Sequence, residues 1–191
     1  MDGARPAGED AGVPQVSSYD LPMPLPRYFE DLFRHMTWAD ATVWRTVIGT
    51  PFDEKTYHLL FHIHQVQHAF LSVWRGEERA PFRELSDYPD FPSLLAWARE
   101  FHEQLPAHLA GVGEDQLDDT KEVTWRRWVE KTIGRAPEPS TLGETMLQLT
   151  QHSTYHRGQV NSRLRATGVE PPLTDFIAWV WRGKPAPEWP A

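Results

Sequence analysis

The chain has 191 residues, 40% hydrophobic and 24% charged, with a formal net charge of −8 and a pI of about 5.6. That length supports one sizeable core, and the acidic balance argues against a phosphate-backbone partner, so no nucleic-acid role is expected. The absence of Cys excludes disulfides, thiolate ligands, iron–sulfur clusters and a Cys nucleophile, leaving only nitrogen and oxygen donors for a metal. No run of about 18 apolar residues and no basic segment leading into an apolar one occurs, so neither a membrane span nor a secretory signal is expected and a cytoplasmic location is the default.

Residues 1–25 hold Pro6, Pro14, Pro22 and Pro24 among Gly and acidic residues and read as a mobile or extended arm. The rest, 26–191, reads as one helical domain. From Tyr28 to Ile48, Phe29, Leu32, Phe33, Met36, Val43 and Val47 recur at helical spacing until Gly49-Thr50-Pro51 stops them. A second helix is expected over Glu54–Trp74, ended by Arg75-Gly76 and carrying His58, His62, His64 and His68. A Pro-rich turn from Pro81 to Pro92 leads to Ser93 as a cap and to a third helix ending near Gly111, with Pro106 expected to kink or shorten it. Between Asp118 and Ser140 the β-type residues Val123, Trp125, Trp128 and Val129 predict a short hairpin or irregular excursion. The last helix spans about Thr141–Ala166, closed by Gly168. The expected fold is therefore all-α: a four-helix bundle with one long crossover, with nine Trp and five Tyr as a bulky aromatic core.

His152 and His156 stand four apart in Gln151-His-Ser-Thr-Tyr-His-Arg-Gly-Gln159. On a helix both imidazoles leave one face, within reach of a single cation. On the second helix, counting about 100° per residue from Leu59, the apolar arc runs from about 280° through zero to about 120°. His62 falls inside it near about 300°, whereas His58, His64 and His68 fall at or beyond its margins. His62 is thus the expected third ligand, and His64 and His68 read as solvated surface histidines. His35, His102 and His108 form no constellation. On the last helix His156 and His152 lie on one flank of the apolar face, while Arg157 sits apart and reads as an interhelical ion pair with Asp40 or another acid of the first helix. The pair lacks the Glu of H-E-x-x-H, and no G-x-S-x-G, P-loop or dinucleotide fingerprint occurs.

These residues resemble the DinB-like family, with its thiol-transferase and maleylpyruvate-isomerase relatives. The likeness is strongest at Gln151–Val160, extends through Gly168, Pro171-Pro-Leu and Asp175–Trp179, and includes Leu59–His64, Trp74-Arg-Gly76 and Leu32–Asp40. It covers about residues 27–184 and leaves out the N-terminal arm. It implies that His62, His152 and His156 coordinate a divalent metal, and that bundles pair as homodimers, with the aromatic tail Phe176–Trp181 offering apolar side chains to bury.

Three imidazoles on zinc, nickel, iron or manganese leave coordination positions open, the arrangement of a catalytic metal. Such a metal lowers the pKa of bound water or of a coordinated thiol. The expected function is a metal-dependent transferase or hydrolase that activates a low-molecular-weight thiol, or water, toward a small electrophilic substrate. Gln65 and Gln159, each three residues past a ligand, are candidates to orient substrate or a ligand. The alternative is a metal-binding stress or sensor protein without turnover.

Overall fold

The computed structural model describes residues 25–77 and 82–191. In chain order these form α1 (Leu25–Ile48), α2 (Glu54–Trp74), α3 (Phe91–Leu109), β1 (Thr120–Lys121), α4 (Glu130–Ile133), β2 (Ser140–Thr141), α5 (Leu142–Ala166) and α6 (Phe176–Trp181). Among the described residues the fold is all-α apart from the two-residue antiparallel pairing of β1 with β2. The arm expected over residues 1–25 lies, but for Leu25, outside the described residues.

The ends of the long helices follow local chemistry. Asp53 caps α2 by accepting from Thr56 N at 3.0 Å, and Gly76, at φ 69°, ends it in the left-handed region that favours glycine. Thr141 and Glu144 form a reciprocal capping box at the start of α5, and Gly168 closes it at φ 83°. The third helix begins earlier than expected: Asp90, not Ser93, is its cap, and Ser93 completes the box from the third position. Pro106 neither stops nor shortens α3, which runs on to Leu109.

The excursion between α3 and α5 is only partly strand. Val123 precedes a 3-10 turn over Thr124–Val129, so the β-type residues Trp125, Trp128 and Val129 lie on a tight helical turn. Only the two flanks, Thr120 with Thr141 and Lys121 with Ser140, pair as strands.

α2 packs against α3 and α5, and α1 packs against the same two helices. The core they enclose has two apolar halves. One contains Phe33, Met36, Phe70, Trp74, Phe101 and Leu149; the other contains Trp44, Leu60, Ile63, Trp97, Val160 and Leu164. At mid-height between them each long helix contributes buried polar residues: Asp40 from α1, His64 and Gln67 from α2, His102 from α3, and Ser153 and Arg157 from α5. This polar layer positions the site described below. The tail folds back on α1, with Trp179 fully buried against Trp38 and Ala39. Of the tail expected to offer apolar side chains, Ala178 and Trp179 are core, while Phe176, Ile177 and Trp181 remain exposed.

Candidate metal centre

His62 on α2 faces His152 and His156 on α5. Each of the three offers a ring nitrogen, and these atoms lie within 4.8 Å of one another. Nε2 of His62 and Nε2 of His152 are 3.2 Å apart. Two nitrogens at that separation, each about 2.0–2.1 Å from a shared cation, subtend an angle of roughly 100° there, between octahedral and tetrahedral values. The ring of His156 lies 4.5 Å from that of His62 and 4.3 Å from that of His152, centroid to centroid.

The environment favours the neutral form of two of these rings, His62 and His152. Burial, and then the neighbouring His156, lower the pKa of His62. Burial, with His156 and His62 adding, lowers His152 to about 4. Neutral imidazoles have lone pairs to donate, which a metal requires. Nδ1 of His156 donates to Oε1 of Gln159 at 2.7 Å, which fixes the tautomer that leaves its Nε2 free. Nδ1 of His152 is buried without a partner.

His62 is exposed while His152 and His156 are half-buried, so the centre lies in the seam between α2 and α5 and opens outward. This corrects the inward placement of His62. Most buried residues of α2 fall between about 20° at Phe70 and about 180° at His68, with Gln67 and Leu60 near the centre. Centring the arc on apolar residues alone shifted it toward Leu59, Val66 and Val73, which are only partly buried. Gln65 does not serve the centre: its amide exchanges two 3.3 Å hydrogen bonds with the backbone of Arg83.

The same shift explains the second correction. His64 and His68 are buried, not solvated, and burial lowers each to about 4. His68 stacks on Trp97 and bonds its carbonyl oxygen through Nε2 at 3.0 Å. His102 does belong to a constellation. Asp40, His64 and His102 are all buried, bring one donor each within 4.8 Å, and could hold a metal ion. Their donors are already engaged. Asp40 accepts from Arg157 Nη1 at 2.8 Å, Gln67 Nε2 at 2.7 Å and His102 Nε2 at 3.1 Å. His64 accepts from Trp44 Nε1 at 2.9 Å and bonds Gln67 Oε1 at 2.7 Å, while Nδ1 of His102 bonds Thr37 Oγ1 at 3.0 Å. A cation there would displace satisfied buried bonds beside a guanidinium, whereas the α2–α5 histidines present unspent lone pairs to solvent.

Burial would raise the Asp40 carboxyl, but Arg157 and the His102 hydrogen bond outweigh it and hold the group well below the usual carboxylate range. The ion pair read for Arg157 is thus present, with Asp40 as partner. A pattern of buried polar residues at one height on four helices was the signal for this group. It is invisible to an analysis that equates burial with apolarity.

Beside the centre an open hollow of about 520 Å³ is lined by Lys55, His58, Leu59 and Gln159. Gln159, bonded to His156, joins the two. Because His62 is exposed, a cation in the seam would be reachable by a small molecule from solvent.

The family model described as "DinB family" matches residues 30–186. No curated protein matches the chain. No helix of the described residues is long and apolar enough to cross a membrane.

Proposed function

The chain belongs to the DinB family, and from that premise we propose that it is a metal-dependent enzyme acting on a small electrophile, with His62, His152 and His156 as its metal ligands. The observation that carries this reading is the convergence of three imidazoles, with donor nitrogens within 4.8 Å, in a seam open to solvent. A divalent cation such as zinc, nickel, iron or manganese would supply Lewis acidity there, enough to ionise water or a low-molecular-weight thiol near neutral pH. His152 and His156 rise from one turn of α5, and His62 closes the set from α2. Gln159 holds Nδ1–H of His156 and so keeps its Nε2 aimed as a donor. Lys55 and His58 line the hollow where a small substrate would rest. A thiol nucleophile would come from solution, because the chain has no Cys. The apolar side chains exposed on the tail outside the cleft described below, Ile177 and Trp181, support a homodimer.

The test is elemental analysis of untreated protein joined to turnover assays. Metal-replete protein should consume a thiol against chlorodinitrobenzene, or hydrolyse an activated ester, and His62→Ala should abolish both the metal and the turnover. Stoichiometric metal without turnover would favour the second reading, a metal-binding stress or sensor protein; the openness and shallowness of the hollow is the observation on its side.

A further inference from the structure

On the side of α5 turned away from the histidines, a cleft of about 710 Å³ opens between α1, α5 and residues 170–176. Thr154, Gly158, Asn161 and Arg165 line it, roughly half a turn around α5 from His152 and His156. Its volume falls within the range of about 300–1,000 Å³ usual for small-molecule sites.

Three features suit it to a ligand. Leu32, Met36, Leu173 and Phe176 give it an apolar wall. Two buried polar side chains line it, Arg157 and His35. Nε2 of His35 donates to the carbonyl oxygen of Thr174 at 2.9 Å, which makes its other ring nitrogen an acceptor. Gly158 sits inside α5, where glycine weakens a helix, yet a Cβ there would meet nothing within 4 Å. Among the described residues no close contact requires the glycine, which leaves α5 without a side chain where it faces the cleft.

The rim carries both signs of charge. Arg165, Glu170 and Asp175 line the cleft and make no ion pair among the described residues. A ligand with one anionic and one cationic end would satisfy both. We propose that this cleft binds a zwitterionic amino acid or short peptide with an apolar side chain, its carboxylate toward Arg165, its ammonium toward Glu170 and Asp175, and its side chain against Leu32, Met36 and Phe176. The site is separate from the histidine centre and stands whether or not that centre turns over.

Isothermal titration of the full chain with L-leucyl-L-phenylalanine tests it, beside the N-acetyl dipeptide, which lacks the ammonium, and the dipeptide amide, which lacks the carboxylate. Saturable binding of the dipeptide is expected, weakened about tenfold or more in each derivative. Gly158→Leu should abolish it with an unliganded melting temperature no lower than that of the parent, because leucine is the better helix former. Arg165→Ala should weaken the dipeptide and leave the amide unchanged. Absence of saturable binding, or equal binding of all three compounds, overturns the proposal. So does a concentration-dependent dimer in sedimentation that Gly158→Leu abolishes, which would give the cleft to a second copy.

Discussion

Arg157 on α5 and Asp40 on α1 form a buried ion pair, Nη1 to Oδ1 at 2.8 Å with both side chains 3% exposed, one residue along the chain from His156. Ser153, fully buried and 3.3 Å from Gln67, stands next to His152 in the same way. α5 thus anchors one face in the polar layer, and the adjacent face presents its two histidines to α2. Rotation of α5 about its axis that carried the two histidines away from His62 would also disrupt the ion pair.

Removing one member of that pair leaves the other as an uncompensated buried charge. Asp40→Ala should destabilise the chain by about 3–5 kcal/mol, measured by urea unfolding. A well-packed apolar replacement of both Asp40 and Arg157 should recover much of the loss. A loss under about 1 kcal/mol for Asp40→Ala would show that the pair does not hold the helices.

The two histidine groups predict opposite phenotypes. His62→Ala should eliminate bound metal in elemental analysis while changing metal-free stability by no more than about 0.5 kcal/mol, because the side chain is exposed. His64→Leu should keep the metal but orphan Trp44 Nε1 and Gln67 Oε1, at about 1–3 kcal/mol for each unsatisfied group. Full metal content in His62→Ala would refute it as a ligand.

Gln159→Leu removes the acceptor that orients His156. Metal affinity should fall about 10–100-fold, with stoichiometry restored at saturating metal. Competition against a chromogenic chelator measures the change, and an unaltered affinity would assign Gln159 to the surface alone.

Acid should destabilise the metal-free chain. Burial holds His64, His68 and His152 at about 4, against an ordinary imidazole value of 6.5. Between those values the unfolded chain binds more protons than the folded one, so this stability is fully present above about pH 6.5 and is lost as pH falls toward about 4. Urea midpoints taken from about pH 7.5 down to about pH 5 should decline, and less steeply in His64→Leu. A flat profile would mean that these rings are not held neutral.

Much of this molecule follows from its one-dimensional pattern. Helical spacing and the stops Gly76 and Gly168 are local properties of a few neighbouring residues, and they delimit α2 and α5 without tertiary information. The i,i+4 spacing of His152 and His156 is local too, since one helical turn determines which face both rings share. Pairing α2 with α5, so that His62 meets them, is a tertiary outcome, as is the exposure of His62. The polar layer is the clearest case: His64 and His102 gain their meaning from Trp44, Gln67, Thr37 and Asp40 on other turns and other helices. A hydropathy wheel penalises a buried histidine because it counts desolvation and cannot count the hydrogen bonds that offset it. The two sides of α5 were likewise decided by packing, with α2 bringing His62 beside the two histidines and α1 leaving the cleft at Gly158 open.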